Sequence, residues 1–222
     1  MNLALNIPQM HLAYGHVLEV GDPDGGFRVK IKLHHYSDAD DQDYAIWARV
    51  ATPIAGAGYG VVMLPDAGDE VLVGFVGGNM TMPVVIGSLY NGTAQPADEP
   101  VEGGEVKRWT LTGHRGTRIA IDEADGPSVT LETPGGVMVK VSDDGAKVTC
   151  TNGTSSVTIE SAEISIETPG TVKIQASQVQ VSAPMVTVDA AMSIFSGLVK
   201  CDVLQTNTVI ATTYTPGAGN IW

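Results

Sequence analysis

The sequence predicts an all-β chain in two parts: a small closed barrel, then a long run of short strands. Three observations carry this. From Ile119 to Cys201 a phrase of apolar, polar and apolar residues recurs, at a spacing that settles near seven or eight positions. Residues 13–91 hold five or six short segments separated by turn residues. No long amphipathic helical pattern occurs in the 222 residues.

The barrel strands are read as Tyr14–Val20, Phe27–Leu33, Ala45–Val50, Gly60–Leu64, Glu70–Phe75 and Pro83–Leu89. Period-two alternation is clearest in Phe27-Arg28-Val29-Lys30-Ile31-Lys32-Leu33, which puts Val29, Ile31 and Leu33 on one face. Asp22-Pro23-Asp24-Gly25-Gly26 is a strong turn, and Gly77-Gly78-Asn79 makes another. Tyr36–Asp43 reads as an acidic, exposed loop. Short strands joined this way suit a small closed barrel of the OB type.

The repeat that follows pairs Ile119 with Ile121, Val129 with Leu131, Val137 with Val139, Val148 with Cys150, Val157 with Ile159 and Ile164 with Ile166. It continues through Val172/Ile174, Val179/Val181, Val186/Val188, Met192/Ile194 and Val199/Cys201. Side chains alternate across a strand, so each pair offers two apolar groups to one face, with residues such as Thr130, Lys140, Thr149 and Gln180 on the other. Turn residues punctuate the first half at Gly126-Pro127, Pro134-Gly135-Gly136, Asp143-Asp144-Gly145, Asn152-Gly153 and Pro169-Gly170. One such strand cannot bury its apolar face alone, so stacked units must share a core. Either a single chain coils as a solenoid, or three chains wind together with each giving one side of a prism.

Composition excludes several roles. The net charge is −13, and residues 1–104 carry four Lys/Arg against thirteen Asp/Glu. Phosphate backbones and anionic membranes both want clustered cations, so neither is expected as a partner. Arg28, Lys30 and Lys32 share one barrel face but do not make a basic groove with stacking aromatics, so nucleic-acid binding is not expected. Cys150 and Cys201 fall on the inward phase of the repeat, several rungs apart, and no structural disulfide is expected. The first residues, MNLALNIPQM, lack a positive n-region, and no run of eighteen apolar residues occurs; neither a signal peptide nor a membrane span is expected.

Catalytic signatures are also missing from the sequence. His34 and His35 are neighbours that point to opposite strand faces, and no Cys-x-x-Cys or His-Glu-x-x-His spacing occurs, so no metal site is expected. Asp38, Asp40, Asp41 and Asp43 crowd a polar loop with little to desolvate them, which is a poor setting for a glycosidase pair. There is no Gly-x-Ser-x-Gly elbow. The glycines at 56, 58 and 60 lack a P-loop lysine. The expectation is a protein without enzymatic activity and without cofactor.

Gly15-His16-Val17 with Asp22-Pro23, Arg28-Val29-Lys30-Ile31 and Trp47-Ala48-Arg49-Val50-Ala51 resemble the OB domain of phage baseplate assembly protein V and VgrG-type spikes. So do Leu64-Pro65, Gly68-Asp69-Glu70-Val71-Leu72-Val73-Gly74-Phe75 and, most specifically, Pro83-Val84-Val85-Ile86 running into Gly87-Ser88-Leu89-Tyr90-Asn91-Gly92. The end, Tyr214-Thr215-Pro216-Gly217-Ala218-Gly219-Asn220-Ile221-Trp222, is similar to the terminus of spikes from contractile phage tails and related injection systems.

This resemblance implies a homotrimeric needle: an OB-fold collar that docks on a baseplate hub, then an intertwined triple-stranded β-helix pointed at the target envelope. The expected layout is an N-terminal arm (1–12), the OB collar (13–92), a linker (93–106), the β-helix spike (107–213) and a tip (214–222). Some family members insert a lysozyme domain between collar and needle; here Thr93–Val106 leaves no room for one. Others end in a His-x-His metal clamp, but this sequence has no histidine after His114. Tyr214, Pro216, Gly217, Gly219 and Trp222 are therefore expected to meet a separate PAAR-type tip protein. The expected role is mechanical puncture at the tip of a virion or injection particle assembled in the producing cell's cytoplasm. The alternative is a trimeric receptor- or glycan-binding fibre, which wants exposed aromatics.

Overall fold

The computed structural model describes residues 11–34 and 45–213. Its first part is a closed five-stranded barrel of β1 (His11–Glu19), β2 (Arg28–Leu33), β3 (Ile46–Val50), β6 (Glu70–Phe75) and β7 (Pro83–Ser88). The order around the barrel is β1-β2-β3-β7-β6, and β6 closes on β1. β3 and β7 run parallel, and the other pairs are antiparallel. This is the OB arrangement.

Alternation builds the core. Val29, Ile31 and Leu33 from β2 meet Val71, Val73 and Phe75 from β6, with Ala13, Val17, Ala48 and Val85 completing the cluster. Gly15 occupies the inward position between Ala13 and Val17 because a Cβ there would stand 2.7 Å from the Lys32 carbonyl oxygen. β1 therefore approaches β2 more closely than any larger residue allows.

One expected strand differs. Of the expected strand Gly60–Leu64 only Gly60 joins a ladder; β4 (Ala55–Gly56) and β5 (Tyr59–Gly60) form a two-rung hairpin beside the barrel. The chain after it is held by Val61 N–H donating to Ile54 O at 3.0 Å and by Thr52 Oγ1 donating to Val61 O at 2.6 Å. The segment between barrel and repeat is also ordered, carrying the short hairpin of β8 (Val101–Glu102) and β9 (Glu105–Val106).

The repeat opens as a seven-stranded antiparallel meander: β10 (Arg108–Thr112), β11 (Arg118–Asp122), β12 (Ser128–Glu132), β13 (Met138–Ser142), β14 (Lys147–Thr151), β15 (Ser156–Ile159) and β16 (Ile164–Glu167). Each strand pairs with the next in sequence, so residues 108–167 find their ladder partners within the chain. The turn residues read from the sequence are the cause. Gly136 (φ 80°) and Gly153 (φ 85°) take the left-handed backbone that reverses a strand in a few residues. No strand follows β16 among the described residues, and a second unit begins at Lys173.

Candidate assembly surface

The meander's register sorts its side chains into columns. Trp109, Ile121, Val129, Val141, Val148, Ile159 and Ile164 lie in line across the seven strands. Beside them run Leu111, Ile119, Leu131, Val139, Cys150, Val157 and Ile166. Both columns occupy one face. Between them, on the opposite face, stand Thr110, Ala120, Thr130, Lys140, Thr149, Thr158 and Ser165.

The two faces are treated differently. On the polar face Ala120 is only 4% exposed. Arg118 Nε lies 3.1 Å from Asp98 Oδ2, and Arg108 Nη1 donates to Glu99 O at 3.3 Å, so the segment before β10 covers that end of the sheet. The apolar face has no such cover: Ile119, Ile121, Val129, Leu131 and Ile159 remain 43–46% exposed. A continuous apolar strip two residues wide is more than the scattered apolar residues of an ordinary free surface.

Most of the expected inward residues sit on this strip: Ile119, Ile121, Val129, Leu131, Val139, Val157, Ile159, Ile164 and Ile166. Val137 lies in the turn before β13; the rung there is Val139 with Val141, one step later than the expected pairing with Val137. Sequence reasoning also missed the opening rung of Trp109 and Leu111, although the Trp-x-Leu spacing repeats the phrase. Val172, Ile174, Val179, Val181, Val186, Val188 and Ile194 lie beyond the ladder and are 52–79% exposed. Cys150 and Cys201 are free, exposed thiols. Tyr214, Pro216, Gly217, Gly219 and Trp222, and the acidic loop Tyr36–Asp43, lie outside the described residues.

The phrases that carried the family resemblance have structural work. Gly68 (φ 96°) makes the turn before β6, and its N–H donates to Val17 O at 2.8 Å. The Asp69 carboxylate accepts the Asp66 N–H at 2.8 Å. Glu70 accepts Leu89 N–H at its carbonyl (2.9 Å) and Asn91 Nδ2 at its carboxylate (2.7 Å). Gly87 and Ser88 pair with Leu72 and Val71. Asn91 Oδ1 then accepts the N–H groups of Thr93 (2.9 Å) and Ala94 (2.8 Å), an Asx turn that redirects the chain beside Gly92. Tyr90 is exposed. Trp47 lies beneath the Arg28 guanidinium, 5.9 Å from it.

Charge on the barrel is arranged locally. Asp22 accepts from Arg28 Nε and Nη2 at 2.7 Å and from the N–H groups of Asp24 and Gly26. The Arg28 hydrogen bonds, the largest cause, hold the Asp22 carboxyl far below the ordinary aspartate value. His16 is pushed below the usual histidine value, first by burial and then by His34 and Lys32. Its ring centroid lies 5.5 Å from that of His34. In the meander, the Ala124 N–H and then Arg108 lower the Asp122 pKa, and a hydrogen bond to Glu160 raises that of Lys147. No group of three or more metal-ligating side chains gathers among the described residues. No described helix is long and apolar enough to cross a membrane.

A hollow of about 580 Å³ lies beside the barrel, lined by Phe27, Arg49, Ile54, Tyr59, Val62 and Met63 among others. Phe27 is 70% exposed and takes left-handed backbone (φ 53°), which is rare for an aromatic residue.

Residues 13–90 match the family described as the type VI secretion system/phage-baseplate injector OB domain. Over 65 residues the chain is 38% identical to the type VI secretion system spike protein VgrG4b of Pseudomonas aeruginosa, covering 29% of this chain and 8% of that protein. It is 33% identical over 72 residues to the spike protein VgrG3 of Vibrio cholerae, covering 32% of this chain and 7% of that one. The actin cross-linking toxin VgrG1 of Vibrio cholerae is 32% identical over 75 residues, again 7% of its length. Each of these alignments spans less than a tenth of the relative. The similarity to the type VI secretion system/phage-baseplate injector OB domain is thus a similarity of residues 13–90.

Proposed function

We propose that this protein is the central spike of a contractile tail or injection-system baseplate. It acts as a homotrimer. The OB barrels form a collar docked on a hub, and the apolar strips of three chains close over a common axis. The segment beyond residue 170 winds with its counterparts into the needle, and the terminal residues meet a PAAR-type tip protein. The work is mechanical: sheath contraction drives a stiff, polar-faced shaft through the target envelope, with no chemistry at the shaft.

The observation that carries this reading is the bare two-residue apolar strip spanning seven strands directly after an injector OB domain. A sheet with one dry face and one wet face needs a partner on the dry side, and three identical faces close with neither edge nor gap. The native mass tests it. The spike requires about three times the 23.2 kDa of the chain. A stable monomer with fully protected amides in residues 171–213 defeats it.

The hollow walled by Phe27 and Tyr59 favours a second reading, a glycan-binding tail fibre, because sugars stack on exposed aromatic rings. Binding of the native protein to a glycan array, lost in Tyr59→Ala, supports that reading. An empty array removes it.

A further inference from the structure

The outer wall of the barrel carries a pair of histidines to which the proposed spike gives no role. Inward and outward residues alternate on β1 and β2, so His16 points outward beside the buried Val17, and His34 follows the buried Leu33. Gly15 stands opposite Leu33 and His16 opposite Lys32, which makes His16 and His34 diagonal neighbours on one face. Diagonal neighbours are about 7–8 Å apart at the backbone, within reach of long side chains. Here the imidazole centroids approach to 5.5 Å. Sequence spacing sets His34 against its neighbour His35; strand register sets it against His16.

Both backbones are fixed. β1 lies between two ladders, with His16 opposite Lys32 on β2 and opposite Glu70 on β6. The His34 N–H donates to Tyr14 O at 2.9 Å, so the β1–β2 pairing extends to His34 itself. The two rings therefore start from a spacing that the barrel imposes.

That spacing suits one kind of ligand. A zinc–imidazole bond is about 2.0–2.1 Å and the ring centroid lies about 1.1 Å behind the bonding nitrogen, so each centroid would stand about 3.2 Å from a shared ion. Two rings at the tetrahedral angle are then about 5.2 Å apart, and a slightly wider angle gives about 5.5 Å. Calcium and magnesium want oxygen donors, whereas imidazole takes copper, nickel or zinc. The charges flanking His16 oppose each other, Lys32 on one side and Glu70 on the other. Lys32 has a flexible stem that can carry its charge into solvent. The Glu70 carboxylate is held in place by Asn91 Nδ2 at 2.7 Å. Burial, then His34 and Lys32, keeps His16 below the usual histidine value, so near neutral pH its ring has a lone pair to give.

We propose that His16 and His34 form a two-point site for a late divalent transition metal, Cu²⁺, Ni²⁺ or Zn²⁺, on the outer wall of the barrel. Two side chains leave the ion's other positions to water or to a donor from a molecule docked against this wall. Both ligands come from one chain, so the site does not depend on the trimeric spike.

The full-length protein, purified without a histidine tag, tests this by calorimetric titration with Zn²⁺ and by electron paramagnetic resonance with Cu²⁺. One ion per chain is expected, with two nitrogens in the copper spectrum. Loss of either ring removes chelation, so His16→Ala and His34→Ala should each weaken binding roughly tenfold or more and leave one nitrogen on copper. His11→Ala, His35→Ala and His114→Ala should bind as the wild type does. His34 is exposed, so His34→Ala should keep the metal-free melting temperature, and it decides the matter if His16→Ala fails to fold. Unchanged binding in His34→Ala, binding lost in any of the three controls, or no ion bound by the wild type overturns the site.

Discussion

Replacing Ile121 by aspartate separates a face that meets partner chains from one that meets water. Ile121 stands between Trp109 and Val129 in the first apolar column and is 44% exposed in the single chain. In the monomer the new carboxylate reaches solvent, so the meander should still fold. In the proposed trimer three carboxylates would enter a dry axis. Each costs several kcal/mol, so the assembly loses about 10 kcal/mol or more. At 1.4 kcal/mol per decade this is roughly a 10⁷-fold loss in the assembly constant. Desolvation also raises the carboxyl pKa in the trimer. The deficit is therefore present above the aspartate value of about 4 and disappears as the pH falls towards it. Sedimentation at neutral pH should show monomers of Ile121→Asp, with trimers returning on acidification. The control is Thr130→Asp on the opposite face beside Lys140, which should change stability by less than about 0.5 kcal/mol. A trimer of Ile121→Asp with unaltered melting temperature at pH 7 refutes the face assignment.

Other outcomes follow from the barrel. Ile31 is fully buried in the core cluster, so Ile31→Ala should cost about 2–5 kcal/mol, read from urea unfolding. Gly15→Ala drives a Cβ to 2.7 Å from the Lys32 carbonyl, and forced separation of β1 and β2 should cost about 1–3 kcal/mol, with exchange protection lost first at the β1–β2 rungs. The depressed Asp22 pKa means that its contribution is complete above the unfolded value of about 4 and is lost only as the pH falls through the lower folded value. The difference in stability between wild type and Asp22→Asn should therefore be flat from pH 7 to about 4 and shrink below it; a difference that grows in acid contradicts the Arg28 clamp.

The barrel was legible because its residues obey one rule at a time. Val29, Ile31 and Leu33 alternate, and Asp22–Gly26 closes the turn. The short hairpin at Ala55–Gly60 was not legible, since two-residue strands have no period to detect. In the repeat the apolar phrase located the strip but left the partner strand open. The same Val-Thr-Cys pattern serves a ladder within a chain or between chains. The turns carried the missing information: Asn152-Gly153 can reverse a strand, and nothing between Ala176 and Ala183 can. Val137 was placed one step early because it has the parity of Val139 and Val141, and only the turn at Thr133–Val137 fixes which two lie in the strand.

The stretch between barrel and meander has a consequence for load. It is stitched down by Asn91 to Glu70, by Lys107 N–H to Pro100 O, by Arg118 to Asp98 and by Arg108 to Glu99, while His114 Nε2 reaches Asp66 across to the barrel at 3.2 Å. In the proposed spike, a slack tether here would buckle under a push, and these ties would oppose bending between barrel and sheet.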